Sequence, residues 1–545
     1  MVVPAAFLAL LFVRPVTAIV LEGLRLDGRF DLGTTLDAVT DPRVRGVAWF
    51  TLWQAAVSTV LTLALGLPGA YVLSRVRFRG RRTIRALVTV PFVLPTVVVG
   101  SAFLALLGPR SPINTALEAV FGAGAPTLDL RRTVTAILIA HVFFNYAVVV
   151  RTVGGLWAHL DPRLEDAART LGASRWQVVR EVSLPLLRPA IVSVSAIVFL
   201  FTFTSFGVIL LLGGPGVATL EVEIHRATTQ LLDLRLASVL ALLQLAAVLV
   251  ALTVYGRLQR ATPQRLAAAD AVVRPPRTRG ERWFLRANLG VMALLLAAPL
   301  LVLVERSLST GDGYGLGNYT GLATAGRGTV LAVPPLEAIR NSLLFGASAT
   351  LVALVVGGCA AFALVDRRRG HTPGAAGRLL DRALMVPLGT SAVTVGFGFL
   401  IGLPAAWRTS PAIVPAAQAL IATPFVVRTL APVLASIDQR LRDAAAVLGA
   451  SPRRVWREVD LPIVARSVAV AAGFAFAIAV GEFGATLFVA RAELPTVPIA
   501  IFRALGRPGA ANFGQAMALS TVLMAVTAAA LLLIERVRVG DVGRF

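Results

Sequence analysis

The chain contains one stretch twice, and that stretch decides the fold. It reads DPRLEDAARTLGASRWQVVREVSLPLLRP at 161–189 and DQRLRDAAAVLGASPRRVWREVDLPIVAR at 438–466. The copies align without a gap at an offset of 277 residues, the difference between 438 and 161. A match of this length indicates an internal duplication. Each copy is polar and lies between apolar segments, so the rest of the chain is predicted to be two copies of a scaffold that presents it.

The composition predicts a polytopic membrane protein. Of 545 residues, 57% are hydrophobic and only 15% are charged, which lies outside the range of soluble globular domains. All 52 basic residues are arginine, so the lysine-containing phosphate loop of nucleotide-hydrolysing proteins is excluded. The net charge of +23 is concentrated in short loops between apolar runs. That pattern sets orientation in a bilayer and does not indicate nucleic-acid binding.

Twelve membrane spans are predicted, since about 20 apolar residues cross a bilayer as a helix. The fold class is therefore an all-α membrane protein. In the first half the predicted spans lie at 3–21, 47–74, 86–108, 134–153, 190–212 and 237–255, and in the second at 285–304, 341–365, 380–403, 412–434, 467–490 and 515–535. The first contains Arg14 and Pro15, but it lacks a basic leading region and a clear cleavage site. It is predicted to be a retained span and not a signal peptide.

The arginine-rich loops predict the orientation. They lie at 75–85, 367–369 and 536–544, on one side of a twelve-span arrangement, and the positive-inside rule makes that side cytoplasmic. Both duplicated stretches and both termini are then cytoplasmic. The predicted organisation is a first half at 1–255, a basic, proline-containing linker at 256–284 and a second half at 285–545. Two parallel halves of this kind enclose a translocation path at their pseudo-two-fold interface.

The residues of the duplicated stretch suit a surface helix followed by a turn. Asp161 and its counterpart Asp438 can cap a helix, because a carboxylate there accepts backbone N–H bonds. The alanines at 167 and 168 give that helix a smooth face. Gly172 permits a turn that a Cβ would hinder, and Pro185 predicts a break before the next membrane helix.

The same residues resemble the cytoplasmic EAA loop of permease subunits in ATP-binding-cassette (ABC) importers. That loop reads EAA, three residues, G, nine residues and I-x-L-P. The matching positions are Asp166, Ala167, Ala168, Gly172 and Pro185 in the first copy and Asp443, Ala444, Ala445, Gly449 and Pro462 in the second. Both copies have Asp for Glu and Val for Ile. The resemblance implies two tandem six-helix permease repeats of the type I importer class, with each loop acting as a coupling helix seated on an ATPase.

The resemblance also implies the partners. They are two copies of a cytoplasmic ATPase subunit, which would bind ATP and Mg, and an extracytoplasmic solute-binding protein. No cofactor, metal or nucleic acid is expected on this chain itself. Fusion of both halves is similar to the iron(III) and thiamine branch, and the segments at 141–145 and 205–224 look most like thiamine permeases. The implied substrate is thiamine, one of its phosphates, or iron(III).

Two residues are predicted to lie on the translocation path. Glu482 falls inside a predicted span, and its counterpart at the same offset is Ser205. A carboxylate at membrane depth is costly and faces a cavity or a partner. Two interpretations of Glu482 stay open at this point: it attracts a cationic substrate, or it bonds a neighbouring helix and holds a gate.

The remaining polar residues predict neither a metal site nor a catalytic site. The four histidines are not at ligand spacing, so no metal site is expected. Glu221 and Glu223 follow a Gly-Pro turn on the outer side, where they suit either docking of a binding protein or a solvated loop. No arrangement of nucleophile and base is recognisable, so an enzyme is not expected.

A secondary transporter driven by an ion gradient is the alternative function. The sequence DRRRG at 366–370, after the eighth span, is faintly like a loop motif of major-facilitator transporters. Its first-half counterpart at 74–80 lacks the acid. That fold also leaves the two EAA-like loops unexplained.

Overall fold

The computed structural model describes residues 1–26, 29–109, 111–122, 124–260, 273–310, 313–323, 332–365 and 375–539. Several predicted features lie outside these residues. They are the arginines at 367–369, the motif at 366–370, His371, the end of the last arginine-rich segment at 540–545 and positions 261–272 of the linker.

The described residues contain eleven helices long and apolar enough to span a membrane, and a bent pair brings the number to twelve. We number the spans in chain order. The first six are Val2–Leu24, Pro42–Arg75, Thr96–Phe121, Val134–Ala158, Val178–Phe203 and Leu234–Arg257. The second six are Arg279–Leu308, Pro335–Leu364, the pair Gly377–Pro387 and Ala392–Gly402, Ile413–Ser436, Pro452–Gly481 and Ala510–Ile534. The predicted all-α class with about twelve spans is confirmed.

Several predicted spans are not continuous helices. The segment predicted at 86–108 is divided into Arg81–Leu87, Val90–Val93 and Thr96–Leu107. The fifth and eleventh spans end at Phe203 and Gly481, inside the predicted 190–212 and 467–490. The ninth bends by 98°. Hydropathy counts apolar residues and does not register where the helical hydrogen bonding stops, so these breaks were not predicted.

Short elements connect the spans. The helices are Leu32–Thr40, Pro162–Thr170, Arg175–Gln177, Gly207–Leu212, Leu220–Thr229, Gly317–Thr320, Ala405–Arg408, Gln439–Val447, Thr486–Val489 and Val497–Leu505, with a 3₁₀ turn at Gly321–Ala323; Pro112–Phe121 is the last helix of the third span. Two antiparallel hairpins pair Arg25–Leu26 with Arg29–Phe30 and Ser309–Thr310 with Gly313–Tyr314. Four π-helical segments lie within spans, at Ala9–Val13, Val178–Ser183, Ala293–Ala297 and Trp456–Asp460.

Each half has its own core of three helices. The second, fourth and fifth spans pack together in the first half, and the eighth, tenth and eleventh pack together in the second. Small side chains allow the close approach that helix packing in a bilayer requires, with Ala70, Ala349 and Ala353 fully buried. A larger apolar cluster joins the two halves and contains Phe143, Phe206 and Phe483.

The first span of each half crosses to the other half. Arg14–Leu24 packs against Ala392–Gly402 of the ninth span, and Ala298–Leu308 of the seventh packs against Thr96–Leu107 of the third. A Cβ on Gly402 would lie 2.8 Å from the backbone of Pro15, so a larger residue there would force the helices apart. Arg14 does not interrupt the first span; its Nε donates to the carbonyl oxygen of Gly402.

The end of the linker contacts the cytoplasmic end of the second span. The backbone N–H of Arg274 donates to the carbonyl of Arg75, and the N–H of Arg77 donates to the carbonyl of Arg274. The seventh span then begins at Arg279, where Thr278 and Glu281 form a reciprocal capping box. The helix therefore starts within the stretch predicted as linker, while the boundaries of the two halves stay a prediction.

Candidate functional site

Each duplicated stretch folds into a short helix closed by a glycine turn. The helices are Pro162–Thr170 and Gln439–Val447, and the carboxylates of Asp161 and Asp438 each accept a backbone N–H bond 2.9 Å long at their starts. The turns use positive φ, +91° at Gly172 and +82° at Gly449. Nothing lies within 4 Å of a Cβ built at either glycine. Backbone conformation, and not crowding, is what requires glycine there.

The two helices present apolar side chains to the solvent. No residue of either helix is buried. Leu171 is 88% exposed, and Val447 and Leu448 are each 86% exposed. An exposed apolar cluster on a polar loop indicates contact with a protein partner. The predicted coupling residues lie on this surface: Asp166, Ala167, Gly172, Pro185, Asp443, Ala444, Gly449 and Pro462 are exposed, and Ala168 and Ala445 are half-buried.

A polar pair fastens each helix to the following span. In the first half the hydroxyl of Ser183 donates to Glu165, and in the second the guanidinium of Arg442 donates to Asp460 at 2.8 Å. The 277-residue offset carries Glu165 onto Arg442 and Ser183 onto Asp460. Corresponding positions are therefore joined by a hydroxyl–carboxylate hydrogen bond in the first half and by an arginine–aspartate ion pair in the second. Sequence reasoning missed both pairs, although each pair spans 18 residues in its copy.

The break predicted at the two prolines is absent. Pro185 follows the π-helical segment Val178–Ser183, and the helix continues into the fifth span. Pro462 follows Trp456–Asp460 in the same way. A π-helical turn shifts the hydrogen-bond register, so the missing proline N–H is accommodated without ending the helix.

The fifth and eleventh spans break where the two predicted path residues lie. Ser205 lies between Phe203 and the resumption of helix at Gly207, and its hydroxyl is 2.9 Å from Nε2 of His141. Nδ1 of that histidine is 3.0 Å from the hydroxyl of Ser58. Hydrogen bonds therefore connect the first break to the fourth span directly and to the second span through His141.

In the second break, Glu482 accepts hydrogen bonds from residues that closely follow it in the chain. Its carboxylate accepts backbone N–H bonds from Ala485 at 2.7 Å and Thr486 at 2.9 Å, together with the hydroxyl of Thr486. These bonds cap the helix Thr486–Val489 and do not reach a neighbouring span. An attraction between Glu482 and a cationic substrate stays a prediction.

Aromatic rings meet between the two breaks. Phe206 and Phe483 stack with centroids 5.7 Å apart and ring planes inclined by 21°. Both rings are buried, and each belongs to a different half.

The acidic residues predicted for a solvated outer loop are instead buried. Glu223 forms an ion pair with Arg43, and Glu221 accepts hydrogen bonds from Gln244 in its own half and Ser391 in the other. Glu221 is fully buried, and this burial raises its pKa to about 8. For Glu221, the signal that could have indicated burial is the helical spacing of Leu220–Thr229, which places positions 221 and 225 on one face.

A cavity on the side opposite the coupling helices is lined by both halves. Gly108 and Arg131 contribute from the first half, and Arg306, Thr310 and Asn318 from the second. The guanidinium of Arg131 donates two hydrogen bonds to Asp129, and these lower the pKa of that carboxyl.

The described residues contain no group of three or more His, Cys, Asp or Glu side chains able to hold a metal ion. The three histidines among them serve separate places, with His141 at the first break, His159 at the end of the fourth span and His225 beside Phe206.

Comparison with known proteins identifies relatives of this architecture. Residues 58–267 match the family model described as binding-protein-dependent transport system inner membrane component. The thiamine transport system permease protein ThiP of Brucella abortus (strain 2308) is 27% identical over 520 residues, covering 92% of this chain and 90% of that protein. ThiP of Escherichia coli (strain K12) is 28% identical over 473 residues, covering 84% and 83%.

A second kind of relative is shorter. The sulfate transport system permease protein CysT of Escherichia coli (strain K12) is 32% identical over 210 residues, covering 38% of this chain and 72% of that protein. Among solved structures, a chain of a bacterial ABC transporter involved in alginate import aligns with 48% of this chain and 93% of its own length, at 15% identity and a TM-score of 0.42.

Proposed function

Because this chain belongs to the binding-protein-dependent transport system inner membrane components, the permeases of ABC importers, we propose that its substrate is thiamine or a thiamine phosphate. It is a multi-pass inner-membrane protein of the fused two-half type, and a transporter, not an enzyme. The substrate assignment rests on the match to thiamine permeases, which covers about nine-tenths of this chain and of the relative. Iron(III), the other substrate of the branch, is the competing outcome of the test below.

We infer that two ATPase subunits bind the exposed coupling helices. The support is a pair of related surfaces on one chain, each with an uncovered leucine beside a glycine turn. Two like surfaces suit two copies of one partner, and their symmetry matches that of a dimer. ATP and Mg would be bound by that partner. Closure of the ATPase dimer would move both coupling helices, and the polar pairs at Glu165 and Arg442 would pass that movement to the fifth and eleventh spans.

We infer that a solute-binding protein delivers the substrate on the opposite side. The cavity lined by Arg131 and Asn318 lies on that side and is shared by the halves, as expected where a substrate enters between them. The arginine-rich loops support cytoplasmic termini.

Uptake by cells with and without the gene tests the function. Labelled thiamine and labelled iron(III) are each offered with ATP depleted and, separately, with the proton gradient collapsed. We expect thiamine uptake that depends on the gene and on ATP. Gene-dependent uptake of iron(III), without uptake of thiamine, would change the assigned substrate to iron(III) and would leave the ATP-driven mechanism unchanged. Dependence on the gradient alone would support the secondary transporter instead.

A further inference from the structure

Four rings form a row through the contact between the halves. His225 lies 5.6 Å from Phe206, Phe206 stacks on Phe483 at 5.7 Å, and Phe483 lies 5.4 Å from Phe502, all measured between centroids. The offset of 277 carries Phe206 onto Phe483 and His225 onto Phe502. The row is therefore symmetric about its middle contact, apart from an imidazole in place of a phenyl at one end.

The contact between Phe206 and Phe483 lies where the fifth and eleventh spans stop being helical. Phe206 immediately precedes the helix Gly207–Leu212, and Phe483 lies between the end of the eleventh span at Gly481 and the helix Thr486–Val489. Non-helical backbone at membrane depth is tolerated where it is covered by protein or lines a cavity. Broken helices of this kind hold substrate sites in transporters built from repeats. Since the two rings belong to different halves, a passage between the halves at this level must part them.

Parted rings would present two nearly parallel aromatic faces. The planes are inclined by only 21°, so a separation of the halves along the ring normal leaves a slot bounded by π surfaces. Such faces attract a planar cation through stacking and through the negative charge of the ring face. The thiazolium ring of thiamine is a planar aromatic cation. Phenyl rings offer no oxygen, nitrogen or sulfur ligand to iron(III).

We propose that Phe206 and Phe483 form an aromatic clamp, which closes the path at rest and holds a planar aromatic cation between its faces during passage. The clamp deepens the proposed function and rests on it, because its ligand class is that of thiamine. It places a specificity-determining site on the permease itself, beyond the selection made by a solute-binding protein. The buried row explains why two phenylalanines, and not aliphatic side chains, lie at matching positions of the two breaks.

The test removes the aromatic faces and keeps the apolar volume. The permease is reconstituted in liposomes with its ATPase and binding protein, and uptake of labelled thiamine is compared between wild type and the double variant Phe206→Leu with Phe483→Leu. We expect ATP-driven uptake to fall by about tenfold or more, because a desolvated cation–π contact is worth on the order of a tenfold change in rate. ATPase binding and hydrolysis stimulated by the binding protein should be retained.

Two control variants separate the clamp from general packing. Phe199 and Phe203 form another stacked pair, with centroids 5.7 Å apart and planes inclined by 26°, but both lie in the fifth span. Their double replacement by leucine should change uptake by less than about twofold. Replacement of Phe206 and Phe483 by tyrosine keeps both faces and should retain uptake. If the double-leucine clamp variant fails to co-purify with the ATPase, the single variant Phe206→Leu serves the same comparison.

The outcomes distinguish the clamp from the function on which it rests. Equal thiamine uptake by wild type and the leucine clamp variant overturns the clamp and leaves the function standing. An equal loss in the Phe199 and Phe203 control also overturns it, since packing would then account for the effect. Absence of thiamine uptake by the wild type overturns the proposed function and the clamp together.

Discussion

The carboxyl group of Glu221 accepts a hydrogen bond from the hydroxyl of Ser391, 170 residues later in the chain and in the other half. Ser391 also caps the helix Ala392–Gly402 by accepting two backbone N–H bonds. By place in the fold, and not by the 277-residue offset, the corresponding position in the first half is Pro95, which precedes Thr96–Leu107 and makes no side-chain cap bond. The offset of 277 carries Glu221 onto Pro498, whose helix Val497–Leu505 packs against Thr96–Leu107. One side of the pseudo-two-fold interface therefore has the hydrogen bond between Ser391 and Glu221, and the other side has Pro95 and Pro498 at the corresponding places.

Replacing Ser391 by alanine should lower stability. The change removes a cap and leaves a buried oxygen of Glu221 without its partner, and each loss costs on the order of 1 kcal/mol or more. Thermal unfolding of the purified protein in detergent measures the effect. The matched control is Ser238→Ala, because the hydroxyl of Ser238 is buried without a hydrogen-bond partner among the described residues. A Ser391→Ala protein that melts together with that control would contradict the role assigned to the bond.

Stability should decline as the pH rises from about 7 to about 8 and should level off above about pH 8. Glu221 lies in the outer helix Leu220–Thr229, and burial raises its pKa from 4.5 to about 8. Between the ordinary pKa of 4.5 and the folded-state pKa of about 8, only the folded state keeps the proton, so its stabilisation falls as the pH rises and is fully lost above the folded-state value. His225, on the same helix, stays neutral over this range because burial lowers its pKa to about 4.

The variant Glu221→Gln isolates that carboxyl. Glutamine keeps an acceptor and cannot lose a proton, so melting temperatures of the variant should vary less between about pH 7 and about pH 8 than those of the wild type. The same slope in both proteins would assign the pH dependence to another group.

Valine at the two coupling turns should impair the interaction with the ATPase. Gly172 and Gly449 adopt positive φ, which is strained for a β-branched residue. Asparagine tolerates this conformation, so Gly172→Asn with Gly449→Asn is the matched control for Gly172→Val with Gly449→Val. We expect the valine variant to insert normally, to co-purify poorly with the ATPase and to lose ATP-driven uptake. Unchanged uptake in the valine variant would show that these turns do not couple transport to hydrolysis.

The polar pair of the first coupling helix should function in the second. Asp460 is only 1% exposed, so Arg442→Glu alone sets two carboxylates together and should destabilise the helix by several kcal/mol. Adding Asp460→Ser recreates the Glu165–Ser183 pair of the other copy and should restore most of the stability and the uptake. Arg454→Ala, which removes an exposed ion pair with Glu458, should have an effect of less than about 1 kcal/mol. If the double variant is no better than Arg442→Glu, the two pairs are not interchangeable.

The sequence predicted what depends on local pattern. Apolar length predicted the spans, and the repeat predicted two equivalent loops with caps at Asp161 and Asp438, because capping is decided by a few neighbouring residues. It also paired Ser205 with Glu482, and the structure places both at corresponding breaks. The coupling roles of the loop residues stay predictions.

What the sequence did not predict depends on residues far apart in the chain. Glu221 was assigned to a solvated loop as one alternative, because its partner Ser391 is invisible to local pattern. For Glu482, a bond to a neighbouring helix is one of the two sequence-based alternatives, yet its carboxylate accepts bonds from backbone three and four residues further along. The breaks were not predicted because a hydropathy window averages over many apolar residues and does not register that the helix stops at a few polar ones, such as Ser205 and Glu482.

The crossed packing of the first span constrains the order in which the protein can be made. Val2–Leu24 is synthesised several hundred residues before Ala392–Gly402, the helix that covers its Arg14–Leu24 part. Until then that face of the first span remains in contact with lipid or with an insertion factor. A chain truncated within the linker would keep it uncovered, so we expect the first half on its own to be recognised by membrane proteases and cleared while the full-length chain persists.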